Sequence, residues 1–461
     1  MNEPRKIFVG QNTCMNASYD VNVLKEGLRR AGHVLTDNAE EADEVVFAGC
    51  GAHRTWVDDA IGQIDRIAAE APDAKVTVTG CLAGIDADYV GRSVRNTSVA
   101  FVDMQDVLKV RTGLDLVTVD RDFDQDSSLD YEGSSEFNQL RQRVGVEKSA
   151  VVAALQELDR SYGLDLESYY RRTTKGFVFY HEDEPVDMIT VTRSCPYKCS
   201  FCAIPQGRGA YTSVPLDMVL EKARASLRRG TTRLILLGDE VGNYGAGLGG
   251  PKLKDLIEEV LALDPRLRIS LRYVEPKPFV RNYEMFERLC GEGRIEVLYV
   301  PLQSGSQRLL LEMNRGYKLD KIIPPYEHLR RTTDTIFFCN WLIGFPGETS
   351  DDFEETRALM RRLDLQINTA VPYSERPNTP APSMPGKIPE SLKQERLTDL
   401  RATISAMKQD EFRRRMAVVD PARREHALSL IAVAETVHVD DFASGPADMA
   451  TTTLDAELLV N

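Results

Sequence analysis

No apolar run in this 461-residue sequence is long enough to cross a bilayer, and no signal-peptide pattern opens it. These absences predict a cytoplasmic protein with no membrane partner. Basic residues are in deficit, 57 Lys and Arg against 71 Asp and Glu, for a formal charge of −14. No global positive field therefore draws nucleic acid to the chain, although a local basic groove stays open. Cysteine is also sparse. Eight cysteines in a long chain without secretory features point to a reducing compartment and metal chemistry rather than disulfides. The remaining composition, 42% hydrophobic and 28% charged, is that of an ordinary globular protein with room for two or three domains.

Three of the cysteines stand together. Thr192-Arg-Ser-Cys-Pro-Tyr-Lys-Cys-Ser-Phe-Cys-Ala-Ile-Pro205 sets Cys195, Cys199 and Cys202 in a C-x3-C-x2-C spacing directly after the apolar run Met188–Val191. Three thiolates on a tight loop can hold three irons of a [4Fe–4S] cube and leave the fourth open to a ligand. A zinc knuckle is the rival reading, but it needs a fourth ligand, and none lies nearby at a suitable spacing. Unrelated buried thiols are the blandest alternative. Cys290 and Cys339 fit that description, since each sits within a helix or strand pattern.

Residues 5–110 alternate apolar strands (Lys6–Val9, Glu44–Phe47, Lys75–Val78) with amphipathic helices, which predicts a small open parallel sheet. Cys14, Cys50 and Cys81 each follow one of these strands. Neighbouring parallel strands run about 4.8 Å apart, so their carboxyl ends should gather the three loops into a second three-thiolate site. Gly10, Gly49, Gly51 and Gly80 border it and would let backbone approach a bulky ligand. Any one of these cysteines alone reads as a small buried residue; three at the same structural position do not.

From Asp120 to Glu136 seven acidic residues stand against one Arg, a solvated linker, and a helix is expected at Lys148–Tyr162. Six further strand patterns follow: Met188–Thr192, Arg233–Leu237, Arg268–Val274, Ile295–Val300, Ile336–Ile343 and Gln366–Val371. Helices are expected between them, including Leu216–Arg229 and Lys254–Leu263. Six βα units are too few for a closed eightfold barrel and predict an open, partial (β/α)6 barrel, with its site at the carboxyl ends of the strands. Leu237-Gly-Asp-Glu240, Pro301-Leu-Gln-Ser-Gly-Ser306 and Ile343-Gly-Phe-Pro-Gly-Glu-Thr349 fall at such ends. The expected organisation is an N-terminal α/β domain over 1–115, an acidic insertion over 116–180, the barrel over 181–390 and a helical segment with an acidic tail over 391–461.

Several ordered stretches carry a resemblance: Cys14-Met-Asn, Gly49-Cys-Gly-Ala-His-Arg54, Gly80-Cys-Leu-Ala83, the Cys195 loop with Arg208-Gly209, Pro301–Ser306, Met313-Asn-Arg-Gly-Tyr317, Gly344–Thr349 and Tyr373-Ser-Glu-Arg-Pro-Asn-Thr-Pro-Ala381. The span 6–396 resembles the methylthiotransferase branch of the radical S-adenosylmethionine enzymes. The resemblance implies that Cys195, Cys199 and Cys202 hold the [4Fe–4S] cluster that cleaves S-adenosylmethionine. It implies that Cys14, Cys50 and Cys81 hold an auxiliary [4Fe–4S] cluster carrying the sulfur to be transferred. Phe201, Gly238, Asp239, Glu240, Gln303 and Ser304 are then candidate cofactor contacts, and no further catalytic residue is assigned. The reaction implied replaces C–H by C–SCH3, with S-adenosylmethionine as methyl donor and radical source, an electron donor such as flavodoxin or ferredoxin, and a sulfur source.

The sequence departs from that branch in places. Asp239 stands where Gln is usual, Glu275-Pro276 replaces Ser-His-Pro, and Asn340 stands where branches acting on transfer RNA have Asp. After Arg396 the pattern is helical, with no run of five alternating strands for the usual TRAM barrel. From Glu435 to Asn461 there are six acidic residues and no Lys or Arg. These features favour a peptide, protein side chain or small metabolite as substrate over a transfer RNA adenosine. A non-catalytic iron–sulfur sensor or sulfur carrier is the reading from a different class.

Overall fold

In the computed structural model the residues described are 4–95, 98–116, 148–173, 186–247 and 249–437. The acidic stretch 120–136 and nearly all of the tail lie outside them. The N-terminal sheet is fully parallel, in the order β2-β1-β3-β4-β5: β1 (Lys6–Asn12), β2 (Val34–Thr36), β3 (Glu44–Gly49), β4 (Lys75–Thr79) and β5 (Val99–Phe101). The three expected strands form its centre. The two that pattern reading missed, β2 and β5, are three-residue edge strands, too short to show a period. β3 is buried along its whole length, as a strand covered on both faces requires. Helix α1 (Met15–Arg30) follows β1, α2 (Arg54–Glu70) follows β3 and the one-turn α3 (Cys81–Ile85) follows β4.

The second sheet is also parallel and runs in sequence order: β6 (Val186–Thr190), β7 (Arg233–Leu237), β8 (Arg268–Leu271), β9 (Ile295–Tyr299), β10 (Ile336–Ile343) and β11 (Ile367–Pro372). Its two edges are not paired with each other, so it is the open six-stranded barrel expected. Alternate residues divide its faces. Leu234, Leu236, Leu298, Phe337, Cys339 and Trp341 pack into the layer of crossover helices. On the opposite face Ile235, Leu237, Val297, Tyr299 and Ile367 share one buried cluster with Ile7, Tyr19, Val21 and Val46 of the N-terminal domain. That shared core docks one domain on the other. At about 25 cal/mol per Å² of apolar surface, even a modest shared face contributes several kcal/mol to the docking.

The expected helix at Lys148–Tyr162 is present as a π-turn (Lys148–Val152) running into Ala153–Tyr162, followed by Leu166–Thr173. These pack Leu155, Leu158, Tyr169 and Tyr170 against Phe412, Leu428 and Ile431 of the two C-terminal helices, Glu390–Arg415 and Pro421–Val437. Segments read as separate in sequence therefore share a satellite core. Cys290 and Cys339 are buried structural thiols, 2% and 0% exposed. Among the described residues no helix is long and apolar enough to cross a membrane.

Candidate active site

Beyond β6 the chain forms a two-residue antiparallel ribbon (Thr192–Arg193 with Thr212–Ser213), and the three-cysteine loop springs from it. Ser194 enters the loop with φ at 64°, a left-handed conformation stabilised by hydrogen bonds from its hydroxyl to the Gly209 carbonyl (2.6 Å) and from its amide to Asp239 (2.7 Å). The loop is clamped from the barrel. Ser200 Oγ donates to the Glu312 carbonyl (2.8 Å), Asn314 Nδ2 to the Lys198 carbonyl (2.7 Å) and Arg315 to Cys199 Sγ (3.4 Å). All three thiols are free of disulfides. Burial pushes the Cys202 thiol up to about 12 and Cys195 higher still. Buried thiols held neutral in this way become thiolates when a metal replaces their protons. The Phe201 ring leans edge-on against Phe345, with centroids 6.5 Å apart.

Gly238, Asp239 and Glu240 follow β7 into this region. A Cβ on Gly238 would sit 1.9 Å from Thr192 Oγ1, so only glycine lets the loop and strand end meet. The Asp239 carboxylate is fully engaged by Ser194 N (2.7 Å), Arg208 Nε (3.0 Å) and Asn16 Nδ2 (3.1 Å). Burial alone would raise its pKa; Arg208 and these hydrogen bonds outweigh it and hold the group ionised. Glu240 accepts from the amides of Gly242, Asn243 and Glu275 and from Asn243 Nδ2 (2.7 to 3.1 Å), yet burial pushes its carboxyl up to about 7. Gln303 turns the chain with φ at 74°, bridging to Trp341. Ser304 is fully buried, its hydroxyl committed to Thr356 Oγ1 (3.1 Å) and the Ser306 amide.

The other three cysteines stand at the carboxyl edge of the N-terminal sheet, after the adjacent strands β1, β3 and β4. Cys14 precedes the first residue of α1, Cys50 follows β3 directly and Cys81 opens α3. Asn12 Oδ1 accepts from the Cys50 amide (2.9 Å) and fixes that turn. Gly80, with φ at 75°, lies against the Gly49 backbone, where a side chain would be both strained and obstructed. Burial, with Cys14 and Cys50 close enough to add their charge, drives the Cys81 thiol well above its ordinary value, while Arg208 works against them. Among the described residues no three His, Cys, Asp or Glu side chains close on one metal ion. A mononuclear zinc site has to do that, whereas a cube spreads its three thiolates over separate irons. With three thiols apiece, both sets are of the kind and number of donor that a cube takes.

The two sets meet where α3 packs on the short helix Ile204–Arg208 that follows Cys202. The approach is as close as backbones allow: a Cβ on Gly84 would lie 2.3 Å from the Gln206 carbonyl oxygen, and one on Gly207 2.9 Å from Cys81 Cα. Buried charge lines the same junction. Asp20 of α1 receives Arg193 and Arg208 from the barrel, and Arg208 also grips Asp239. On the far side Arg376, after β11, donates to the Gly51 carbonyl (3.2 Å) and approaches Asp86 (3.4 Å). Sequence reading assigned no role to Arg208, Arg315, Arg376 or Asn16. All four lie in stretches that carried the resemblance, which was the available signal.

Residues 6–101 match the model of the Uncharacterized protein family UPF0004, and residues 189–360 match that of the Radical SAM superfamily. A protein of Cereibacter sphaeroides named tRNA-2-methylthio-N(6)-dimethylallyladenosine synthase is 29% identical over 419 residues, covering 88% of this chain and 84% of its own length. One of the same name from Sulfurovum sp. is 24% identical over 409 residues, covering 86% and 83%. Among solved structures, the radical S-adenosylmethionine methyltransferase TsrM from Kitasatospora setae, with cobalamin and a [4Fe–4S] cluster bound, shares the fold. Its TM-score is 0.52 at 16% identity, over 82% of this chain and 77% of that one. Both family models are matched in order and relatives align across most of both chains, so the chain carries a radical S-adenosylmethionine domain and is similar over most of its length to radical S-adenosylmethionine methylthiotransferases, enzymes whose cofactors are S-adenosylmethionine and [4Fe–4S] clusters.

Proposed function

We propose that Cys195, Cys199 and Cys202 hold the cluster that binds S-adenosylmethionine, that Cys14, Cys50 and Cys81 hold the auxiliary cluster, and that the enzyme converts a substrate C–H to C–SCH3 between them. The observation that carries this reading is the backbone contact of Cys81 with Gly207, which leaves the two thiol sets on facing sides of one junction. The bound cofactors supply the one-electron and methyl-transfer chemistry. The chain's own task is to bind, orient and exclude water. Glu240, tied by three amides, is fixed in place to receive a cationic amino group, and Gly238 lets its loop close on Thr192. Asp239 ties the loop, both of its carboxylate oxygens being taken up by Ser194, Arg208 and Asn16.

For the substrate, the leading reading is an adenosine in transfer RNA, on the strength of the relatives' names and the length over which they align. The preference for a peptide, protein side chain or small metabolite finds no support among those relatives. One observation favours it as a second reading. The basic residues nearest the C-terminus are already paired: Arg413 with Asp410, Arg414 with Asp364 and Glu411, Arg415 with Glu411, Arg423 with Glu157 and Arg424, more loosely, with Glu425. Guanidiniums neutralised in this way offer little to a phosphate backbone. A reducing cytoplasm, a flavodoxin- or ferredoxin-type electron donor and a separate sulfur source complete the proposal.

The experiment is to incubate the reconstituted enzyme, reductant and S-adenosylmethionine with transfer RNA lacking the methylthio group, both with and without N6-dimethylallyladenosine, and, separately, with peptide and metabolite pools. Mass spectrometry then searches each for a gain of SCH2. A methylthiolated nucleoside after digestion supports the first reading. Product in the other pools alone replaces it with the second, and product in none counts against both.

A further inference from the structure

The auxiliary cysteines all come from the N-terminal domain, but the cations beside them come mostly from the barrel. Arg208 follows Gly207, where a Cβ would lie 2.9 Å from Cys81 Cα, and its guanidinium bonds Asp239 and Asp20 and reaches the Asn16 carbonyl (3.5 Å), two residues from Cys14. Arg376 lies on the other flank, beside the Cys50 turn, through its bond to the Gly51 carbonyl. It is 2% exposed, and its Nε–H has no hydrogen-bond partner among the described residues. Its neighbours Asp86 and Arg54 form a partial pair (3.4 Å).

The charges along this junction do not cancel. On one flank Arg193 and Arg208 are balanced by Asp20 and Asp239, whereas on the other Arg54 and Arg376 share Asp86, two cations to one anion. Burial with an unused donor is costly for a guanidinium unless an anion completes its shell. Burial does depress the Arg376 pKa, with Asp86 offsetting only part of the effect. Neutral thiols supply no such anion. Three thiolates on a four-iron cube do, and a sulfur anion on the remaining iron adds to it.

We infer that Arg376 and Arg208 are positioning residues of the auxiliary site, and that the Nε–H of Arg376 helps hold an anionic sulfur ligand there, a hydrosulfide or thiolate. This rests on the reading of Cys14, Cys50 and Cys81 as cluster ligands. The barrel thereby controls what the N-terminal cluster can carry, and a docked domain interface is a condition for sulfur loading.

The test uses the full chain with Cys195, Cys199 and Cys202 all changed to Ala, so that only the auxiliary set can be loaded. After anaerobic reconstitution, iron is counted, and sodium hydrosulfide is titrated against the electron paramagnetic resonance signal of the reduced cluster. The parent should hold about four irons and show a saturable spectral change. Arg376→Gln should keep that iron but bind hydrosulfide about tenfold more weakly or worse, the loss expected for one hydrogen bond to a charged group. Arg376→Lys should recover part of the affinity. Equal affinity in the parent and in Arg376→Gln, at equal iron, would overturn the inference while leaving the cluster assignment standing. Failure of the parent itself to hold iron would overturn the assignment, and the inference with it. If Arg376→Gln and Arg376→Lys both lose iron and melt lower, the residue is structural and the inference is wrong. Iron lost in Arg376→Gln and restored in Arg376→Lys supports the requirement for positive charge.

Discussion

At the scale of single residues, the contact between Gly207 and Cys81 leaves no space for even one methyl group. Gly207→Ala places a carbon 2.9 Å from Cys81 Cα and 3.0 Å from its Cβ, so backbone must yield. We expect this variant to lose most of its auxiliary iron while keeping the iron held by the Cys195 set, as read by iron analysis with and without the Cys14, Cys50 and Cys81 ligands. Glu240 gives a prediction in pH. Its carboxyl is raised from 4.5 to about 7 in the folded protein, so between those values the native state retains a proton that the unfolded chain releases. Its contribution to stability is therefore present below about 4.5 and lost as pH rises to about 7. In apoprotein melts, Glu240→Gln should flatten the decline across that window. The cysteines could be read in sequence because their spacing to each other, or to strand ends, is itself the signal. The arginines could not, because a lone Arg does not show which distant carboxylate or thiol it will meet. The partners of Asp239 could not be read either, since Asn16 and Arg208 are 223 and 31 positions away.

Individual elements explain where pattern reading worked. The barrel strands are long enough to show alternation or continuous burial, and β7 and β10 match expectation to the residue. The region after Cys50 is set by capping rather than by periodicity. His53 is the N-cap of α2, its Nδ1 accepting from the Thr55 amide (3.2 Å). Burial, and then the nearby Arg376, lowers its pKa from 6.5 to about 4, which keeps the ring neutral and able to accept. Because the unfolded chain takes up the proton first, stability should fall as pH drops from about 6.5 toward about 4. His53→Asn keeps a capping acceptor without a titrating ring. Its apoprotein melts should be flatter than the parent's through that window; an equally steep decline would remove His53 as the cause.

For the whole molecule, what sequence could not supply was the assembly of separate segments. The satellite core joins residues near 150–170 to residues near 412–434, pairing partners more than 240 positions apart. Phe412, fully buried there against Tyr169 and Tyr170, is the residue to remove. Phe412→Ala should cost about 3–5 kcal/mol of local stability and expose these helices to proteolysis while leaving the iron content unchanged. The same distance problem hid the docking of the N-terminal sheet on the barrel, whose apolar residues read simply as strand cores. Yet this docking brings the elements that carry the two cysteine sets together at one junction. The most direct measurement of that claim is iron per chain after anaerobic reconstitution, in the parent and in the two triple cysteine-to-alanine variants. The account predicts about eight irons in the parent and about four in each variant, in keeping with two independent four-iron sites. About four irons in the parent, unchanged when Cys14, Cys50 and Cys81 are replaced, would contradict it.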